Sequence, residues 1–299
     1  MNTDLVAGMA ALVHPTSIPA DAEPAVLAVR GAVVVLRVGD VVVKAHEPGT
    51  DVALLSARLR LAADTRLRGL LLPPTSSAPS VVGGRAVTTW PLGVPVDGRD
   101  PAEAPLEEAA ELLASLHAFG VADFGEVLPP SGAPHRMART VRDLRDARLG
   151  PAATTVLRAF DTLPPVDVPE RLALCHGDWH LGQMVQADGW RLIDVDDLGI
   201  GDPAWDLARP AALFAAGVLD PETWTRFLDA YLAAGGSAIP DGADPWAVLD
   251  VPARALVVQM AARALLAAQR DGTALDEAQE ELLAACDRIV SAHRHMARG

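Results

Sequence analysis

The sequence has few cysteines and no run of residues typical of a membrane segment. Cys175 and Cys286 are the only two cysteines, and no CxxC pair exists, so a zinc site or a disulfide framework has no support. The two thiols are expected to be reduced core residues of a cytoplasmic protein. No signal-peptide pattern and no uninterrupted apolar run of about 18 residues is found, so we expect no membrane partner.

Basic residues are also scarce. The 299 residues include 25 Lys and Arg against 39 Asp and Glu, which gives a net charge of −14. This balance argues against nucleic acid as a partner, because a phosphate backbone binds to basic patches. It is compatible with a cationic small-molecule substrate, and equally with acidity that serves only solubility.

Lysine is the rarest of the charged residues. Lys44 is the one lysine among the 25 basic residues, and it ends the apolar run VVVK at 41–44. A compact ammonium fits between phosphate oxygens differently from a wide guanidinium, which favours a functional role. The alternative is a lysine at a strand end whose ammonium lies in solvent.

The pattern of apolar residues predicts an α+β fold. Strands are predicted within 25–46, at 69–74 and at 84–90, with one helix at 50–65. Proline and glycine cluster at 91–105, which is the best candidate for a linker. Beyond it the pattern is mainly helical, and these helices are predicted at 106–120, 137–150, 203–217, 221–234, 245–270 and 274–297.

An arginine series occupies one of these helices. Its members recur every three residues, at Arg136, Arg139, Arg142, Arg145 and Arg148. They could form an anion-binding face, but steps of three slip backwards by about 60° each on a helix of 3.6 residues per turn. The series therefore spreads around the helix, which favours the interpretation of a solvated helix.

The segment 174–209 carries the strongest chemical signal. RLIDV at 191–195 reads as a strand that follows a hairpin turn at Asp188-Gly189. Asp178, Gln183, Asp194 and Asp196 thus collect near the ends of strand-like runs. A divalent cation and a hydroxyl nucleophile both require such carboxylate and amide oxygens.

Three motifs in this segment resemble the aminoglycoside phosphotransferase family, which has a protein-kinase-like fold. They are HGDWHLGQ (176–183), IDVDD (193–197) and GDPAWDLA (201–208). The resemblance implies a bilobal molecule, with a nucleotide-binding antiparallel sheet lobe at 1–91. A mainly helical lobe at 92–299 would hold the catalytic loop and the acceptor site. The implied activity is ATP- and Mg²⁺-dependent transfer of a phosphoryl group to a hydroxyl of a small molecule.

The resemblance also implies individual roles in the chemistry. Asp178 matches the catalytic aspartate, which orients and deprotonates the acceptor hydroxyl. Asp194 matches the metal-binding aspartate, and Gln183 stands where most of the family has a metal-binding Asn. Lys44 matches the lysine on the nucleotide phosphates. Asp51 is the nearest match to the helix acid that pairs with that lysine, unless it only caps its helix.

Further positions follow from the same resemblance. The hinge would fall at Thr89–Gly93, where Thr89, Trp90 and Gly93 would meet the adenine through backbone groups. His176 and Asp202 would brace the catalytic loop.

The acceptor side is less defined by the sequence. His180 either touches substrate or metal, or holds its loop by hydrogen bonds, which we favour. Asp196 and Asp197 either bind a second metal or a substrate amine, or form a solvated loop. The HLGQ spelling around Gln183 resembles the actinobacterial maltokinase and glucosamine-kinase branch, which favours a sugar or amino-sugar acceptor.

A second hypothesis is a catalytically silent, nucleotide-binding regulatory protein of the same fold. The Gln at 183 and a first hairpin poor in glycine favour it, whereas the presence of all the essential carboxylates favours the enzyme. The choices between antibiotic resistance and sugar metabolism and between ATP and GTP stay open at this level, as does the oligomeric state.

Overall fold

The computed structural model describes residues 3–13, 23–97, 103–125, 127–165 and 171–296. The chain forms two compact units. The first comprises Met1–Ala104 together with Leu181–Asp196, and the second comprises Pro105–His180 together with Asp197–Gly299. The first holds an antiparallel sheet and the second is mainly helical, which confirms the predicted α+β class.

The first unit is built on a five-stranded antiparallel sheet in the order β1-β2-β3-β5-β4. The strands are β1 (Ala25–Arg30), β2 (Val33–Val38), β3 (Val41–Ala45), β4 (Ser80–Val82) and β5 (Arg85–Pro91). Gly31 and Gly39 have φ values of 61° and 60° and supply the left-handed backbone of the two tight turns. The β-branched runs between these turns favour the extended strands.

Two helices complete this part of the first unit. Helix α1 (Thr3–Ala10) packs on β2 and β3, where its Leu5 and Met9 join Leu36 and Val43 in a buried apolar cluster. Helix α2 (Val52–Ala62) follows β3. The cluster fixes one face of β3, the strand that carries Lys44.

The predicted strand at 69–74 is not formed. Leu71 makes only an isolated bridge to Leu192, and the segment runs into Pro73-Pro74, which have no N–H to donate to a ladder. The bridge nevertheless joins this segment to the later hairpin.

That hairpin explains why the units divide differently from the predicted boundary at 91/92. Strand β6 (Val94–Pro95) pairs with β8 (Met184–Ala187), which pairs with β9 (Gly189–Leu192). The turn lies at Asp188-Gly189, as predicted, and Gly189 has a φ of 92°. These pairings place residues 181–196 in the first unit although they lie far along the chain.

The second unit contains one antiparallel strand pair and a set of helices. Strand β7 (Ala173–Cys175) pairs with β10 (Gly199–Gly201). The helices are α3 (Leu106–His117), α4 (Ala133–Ala147), α5 (Pro151–Asp161), α6 (Ala204–Ala216), α7 (Pro221–Ala233), α8 (Pro245–Asp271) and α9 (Glu277–Met296). Each helix predicted after the linker has a counterpart here, and α5 is the addition that was not predicted.

Helix α8 is the central element of the second unit and packs against α4, α5, α6 and α9. Within the described ranges it is the one helix whose length and composition would allow a membrane crossing, and 56% of its apolar window is buried inside the protein. Leu256, Val258 and Ala261 on it are buried in the core. This burial is typical of the core helix of a folded domain.

Candidate active site

Lys44 lies in the middle of the sheet of the first unit and faces two carboxylates. On β3 it is opposite Val35 of β2 and Thr88 of β5. Its Nζ is 2.6 Å from Oδ1 of Asp194 and 2.8 Å from Oδ2 of Asp196, and its side chain is only 13% exposed. The alternative in which its ammonium lies in solvent is therefore wrong.

The ionisation of this cluster is set by mutual attraction. Burial opposes the charge of Lys44, but Asp196 and Asp194 outweigh it and raise the pKa of the ammonium. Burial likewise opposes the charge of Asp196, but Lys44 and His46 lower the pKa of that carboxyl. Nδ1 of His46 is 3.3 Å from Oδ2 of Asp196, and its Nε2 is 3.0 Å from Oγ1 of Thr88. We call Lys44, His46, Asp194 and Asp196 the Lys44 cluster.

Asp194 has an unusual backbone conformation. Its φ is 62°, in the left-handed region that Asp adopts more readily than most residues other than glycine. Such backbone strain collects at functional sites, where it directs a side chain. The short 3₁₀ helix Val195–Asp197 follows immediately.

The residues at Asp194 fit a magnesium ion. Nε2 of the buried Gln183 is 3.4 Å from Oδ2 of Asp194, and the Gln183 backbone carbonyl accepts a hydrogen bond from Ile193 N at 2.9 Å. Mg²⁺ prefers one or two protein oxygens together with several waters. A carboxylate and an amide held side by side match that preference, and these two side chains would hold the ion.

Asp51 has a structural function in this unit. Its Oδ1 accepts hydrogen bonds from Ala53 N at 2.9 Å and Leu54 N at 3.0 Å, so it caps α2. Lys44 has Asp194 and Asp196 as its carboxylate partners instead. The geometry therefore matches the alternative in which Asp51 only caps its helix.

The predicted hinge residues are held by the sheet and the hairpin. The carbonyl of Thr89 accepts a hydrogen bond from Thr75 N at 2.9 Å, and Nε1 of the buried Trp90 donates to Oγ1 of Thr88 at 3.0 Å. A Cβ on Gly93 would collide with Val185 of β8, so close packing requires glycine there. The contact of this segment with adenine stays a prediction.

Asp178 lies in the second unit between two arginines. Nη1 of Arg136, on α4, is 2.5 Å from Oδ2 of Asp178 and 2.6 Å from Oδ2 of Asp197. Nη2 of Arg209, on α6, is 2.8 Å from Oδ1 of Asp178. Arg136 also donates to the carbonyl of Gly177. We call Asp178, Asp197, Arg136 and Arg209 the Asp178 cluster.

Arg136 departs from the interpretation of its helix as solvated. It is buried, with 8% exposure, whereas the other members of the arginine series are exposed. The signal in the sequence was its phase, because Arg136 lies in the same stripe as Met137, Val141 and Leu144 on the buried face of α4. Arg209 was also missed, although it directly follows the GDPAWDLA motif.

The two arginines crowd positive charge around one carboxylate. Burial lowers the pKa of Arg209; Asp178 opposes this, while the neighbouring charges of Arg136 and Arg263 lower it further. Nε of Arg209 also donates to the carbonyl of Trp179 at 3.2 Å. Arg209 is thus fixed both to the backbone of Trp179 and to the carboxylate of Asp178.

Asp206 holds the loop that carries Asp178 through hydrogen bonds to its backbone. Asp206 accepts hydrogen bonds from His176 N at 2.6 Å and Gly177 N at 2.7 Å, and from Nε2 of His117 at 3.0 Å. Burial alone would raise the pKa of Asp206, but His117 leads the contacts that hold it below its ordinary value. Nδ1 of His176 accepts a hydrogen bond from Asp178 N at 3.4 Å, which matches the predicted bracing role.

The structure corrects the predicted bracing role of Asp202. Asp202 accepts a hydrogen bond from Ala204 N at 2.9 Å, so it binds the start of α6. Asp206, one turn later, binds the loop that carries Asp178. Burial raises the pKa of Asp202. The GDPAWDLA motif therefore contains two acids with separate structural tasks.

A buried group of possible metal ligands lies beside this brace. Among the described residues, His117, Cys175 and Asp206 bring ligand atoms within 4.8 Å of one another. Both ring nitrogens of His117 already have partners, since Nδ1 is 2.7 Å from the Tyr231 hydroxyl. Both oxygens of Asp206 are likewise engaged. The group is accounted for as a hydrogen-bonded brace.

Asp196 and Asp197 both lie in defined networks. Asp196 binds Lys44 and His46, and its carbonyl accepts from Arg58. Asp197 binds Arg136, and its carbonyl accepts from Gly132 N at 3.0 Å. The solvated-loop interpretation is therefore wrong for both. Their contact with substrate, like that of His180, stays a prediction.

Comparison with known proteins identifies the family. Residues 18–249 match the model of the phosphotransferase enzyme family, APH. The chain belongs to this family. The match spans most of the chain and includes both the Lys44 cluster and the Asp178 cluster. Among curated protein sequences, none matches the chain significantly.

Solved structures of phosphotransferases share the fold. A choline/ethanolamine kinase family protein from Mesorhizobium loti is 18% identical, with 97% of each chain covered and a TM-score of 0.59. An aminoglycoside-3'-phosphotransferase of type VIII is 23% identical over 86% of this chain and all of its own (100%), with a TM-score of 0.59. A thermostable mutant of aminoglycoside phosphotransferase APH(4)-Ia, in a ternary complex with AMP-PNP and hygromycin B, is 15% identical over 90% and 94%, with a TM-score of 0.58.

Family membership makes this phosphotransferase a small-molecule enzyme of the kinase-like fold. Asp178 and Asp194, the acids to which the family resemblance assigns the acceptor hydroxyl and the metal, both lie within the matched region. The comparisons therefore support an enzyme and not a catalytically silent regulatory protein.

Proposed function

We propose that this phosphotransferase moves the γ-phosphoryl group of ATP, with Mg²⁺, to a hydroxyl of a sugar, amino-sugar or aminoglycoside-type compound. The observation that carries the proposal is the placement of Asp178, whose two carboxylate oxygens are each fixed by a different arginine. Support for the nucleotide and the kind of acceptor comes from the similar enzyme with AMP-PNP and hygromycin B bound.

Asp178 would receive the proton of the acceptor hydroxyl. Each carboxylate oxygen has two lone pairs, and Arg136 and Arg209 take one on each oxygen. A lone pair therefore remains for the acceptor O–H. As the acceptor oxygen bonds to the γ-phosphorus, its proton passes to Asp178 and ADP leaves with the electrons of the broken P–O bond.

Lys44 would contact the phosphates of the nucleotide. An ammonium has three N–H donors, and Asp194 and Asp196 take two of them, which leaves one for a phosphate oxygen. Mg²⁺, when held by Asp194 and Gln183, supplies positive charge against the developing charge of the transferred group. Asp194 then serves both the metal and the lysine.

The direct test measures transfer to a panel of hydroxylated compounds. We expect ATP- and Mg²⁺-dependent phosphorylation of at least one sugar, amino sugar or aminoglycoside. Asp178→Asn should lower its rate by about 10²–10⁴-fold, the range that proton transfer contributes. Asp161→Asn, at an exposed position of the same unit, should keep the full rate. No turnover of any compound, with Asp178→Asn indistinguishable from wild type, would refute the proposal.

Expression of the gene in a sensitive host separates antibiotic resistance from sugar metabolism. Growth protection against an aminoglycoside would assign resistance. Transfer to a simple sugar without protection would assign metabolism, which the HLGQ segment around Gln183 favours.

A further inference from the structure

A chain of hydrogen-bonding side chains runs through the first unit from Asp196 to Trp90. Nδ1 of His46 is 3.3 Å from Oδ2 of Asp196, and Nε2 of His46 is 3.0 Å from Oγ1 of Thr88. Nε1 of Trp90 donates to the same hydroxyl at 3.0 Å. His46, Thr88 and Trp90 are all buried. Because a buried polar group is costly unless it has a partner, each link of this chain supports the next.

The pleat of the sheet explains this alignment. Thr88 of β5 lies opposite Lys44 of β3, and side chains that lie opposite each other in an antiparallel pair share a face. His46 continues this ladder by donating its backbone N–H to the carbonyl of Ala86 at 2.9 Å. His46 lies two residues after Lys44 and Trp90 two residues after Thr88, and residues two apart also share a face. The chain therefore lies on the face of the sheet that presents Lys44.

The donors and acceptors in this chain select one form of the His46 ring. An indole N–H only donates and an ionised carboxylate only accepts. Trp90 therefore donates to Thr88, and Nδ1 of His46 donates to Asp196. The remaining hydroxyl hydrogen of Thr88 is accepted by Nε2 of His46 when the imidazole is neutral. In this tautomer every hydrogen bond runs towards Asp196, so His46 presents a fixed donor to that carboxylate.

Asp196 is held at two points. Its side chain contacts His46, and its backbone carbonyl accepts a hydrogen bond from Arg58 of α2. The same carboxylate oxygen that faces His46 is 2.8 Å from Nζ of Lys44. Asp194 is the predicted metal ligand, so Asp196 is the carboxylate that remains for the lysine. A long lysine side chain that is already ordered loses less conformational entropy when it binds a ligand.

We propose that His46 is a positioning residue for the nucleotide, because by holding Asp196 it fixes the ammonium of Lys44 where the nucleotide phosphates bind. The proposal rests on the proposed contact of Lys44 with those phosphates, and it adds a residue that the sequence motifs did not indicate. The imidazole acts through Asp196 and does not itself touch the nucleotide. Loss of the imidazole should therefore weaken the binding of phosphates and leave the binding of the nucleoside unchanged.

The binding test uses AMP-PNP with Mg²⁺ and, as a probe without phosphate, adenosine. Calorimetric titration of the full-length protein measures both. His46→Leu should raise the Kd of AMP-PNP about tenfold, the effect of one charge-assisted hydrogen bond, and should leave the Kd of adenosine unchanged. His46→Asn keeps a side-chain N–H donor and should restore most of the affinity for AMP-PNP. His293→Leu, exposed on α9, is the matched control and should bind both probes as wild type does.

Two further variants show whether His46 acts through the ion pair. Asp196→Asn changes a side chain that is 39% exposed, so it leaves the core intact, and it should weaken AMP-PNP binding as much as His46→Leu does. In a Lys44→Met background, His46→Leu should cause no further loss, because residues that act through one contact are not additive.

Several results would overturn the proposal. They are a wild-type affinity for AMP-PNP in His46→Leu or Asp196→Asn, equal losses of AMP-PNP and adenosine affinity in His46→Leu, a loss in His46→Asn as large as in His46→Leu, and additive losses in the double variant. Each of them would assign His46 a purely structural function.

The same titrations separate this proposal from the proposed function. AMP-PNP binding that is weakened by Lys44→Met but not by His46→Leu would refute the positioning role alone and leave the kinase intact. An absence of AMP-PNP binding by the wild-type protein would refute the nucleotide site, and with it both proposals.

Discussion

The Lys44 cluster and the Asp178 cluster are arranged around side chains of opposite charge. In the first unit, one ammonium faces the carboxylates of Asp194 and Asp196 at 2.6 and 2.8 Å. In the second unit, the carboxylate of Asp178 faces the guanidinium groups of Arg136 and Arg209 at 2.5 and 2.8 Å. Each cluster is built entirely within its own unit.

The difference indicates a separate function for each cluster. A surplus of carboxylate around one lysine is completed by a divalent cation, whereas the two guanidinium groups at Asp178 are balanced by the carboxylates of Asp178 and Asp197. The two halves of the proposed reaction therefore have separate charge requirements. Substitutions in one cluster should change metal and nucleotide binding, and substitutions in the other should change chemistry and acceptor choice.

The largest effect should come from Asp194→Asn in the Lys44 cluster. We expect the transfer rate to fall on the order of a thousandfold, because the metal supplies several kcal/mol of charge stabilisation. The Mg²⁺ concentration needed for half-maximal rate should rise in the same variant. Initial rates across a Mg²⁺ titration measure both quantities.

The matched control is Asp188→Asn at the tip of the β8–β9 hairpin, where the Asp188 side chain is 94% exposed. It should behave as wild type. If Asp194→Asn retains the wild-type Mg²⁺ dependence, the Lys44 cluster is not the metal half of the site.

A smaller effect is expected from Asp206→Asn, next to the Asp178 cluster, and it concerns the stability of the fold. Asp206 binds His117 and two backbone N–H groups of the catalytic loop while fully buried. Removing its charge should lower the free energy of unfolding by about 3 kcal/mol, measured by urea denaturation. Asp229→Asn, exposed on α7, is the control and should leave stability unchanged.

The pH dependence of the same substitution gives a second measurement. The pKa of Asp206 lies below its ordinary value of 3.8, so its charge is favoured in the folded state. Its contribution is fully present above about pH 4 and is lost as the pH falls towards the lowered value. Wild type should therefore lose stability more steeply than Asp206→Asn below pH 4. Parallel acid transitions in the two proteins would contradict this assignment.

The smallest of these effects should come from Lys44→Met. Without Mg²⁺, Asp194 and Asp196 would lose their shared cation, and the free energy of unfolding should fall by about 2 kcal/mol. Added Mg²⁺ should restore part of this loss, because it neutralises the same carboxylates. Urea denaturation with and without Mg²⁺ measures the difference.

Arg30→Met on the exposed strand β1 is the control for Lys44→Met, since no second lysine exists. It should show no such Mg²⁺ dependence. Equal stabilisation of wild type and Lys44→Met by Mg²⁺ would argue against a shared carboxylate site.

Much of the fold followed from local patterns. The β-branched runs with glycine turns predicted β1 to β3, and apolar periodicity predicted most helices of the second unit. The prediction of a strand at 69–74 was wrong, because an apolar run does not show whether a neighbouring strand is present to pair with it. The compact units divide differently from the predicted boundary because the pairing of β6 with β8 joins residues about 90 positions apart, and no local pattern encodes such a pairing.

The site was predictable where a motif carried it. Asp178, Gln183 and Asp194 were singled out from a short segment, and the lone lysine at 44 was connected to them by the family resemblance. Arg136 and Arg209 were not found, because their function depends on tertiary placement. An arginine on a helix reads as solvated unless the apolar stripe around it is examined. For Asp51 the geometry matches the alternative that the sequence already offered, a helix cap.

The most direct test of the separate halves is to compare nucleotide affinity and transfer rate in Asp178→Asn. The two are measured on the same preparation, by titration with AMP-PNP and Mg²⁺ and by phosphoryl transfer from ATP. Our account predicts an unchanged dissociation constant for the nucleotide and a rate lowered by about 10²–10⁴-fold. A rate close to wild type, or a loss of activity explained entirely by weaker nucleotide binding, would contradict it.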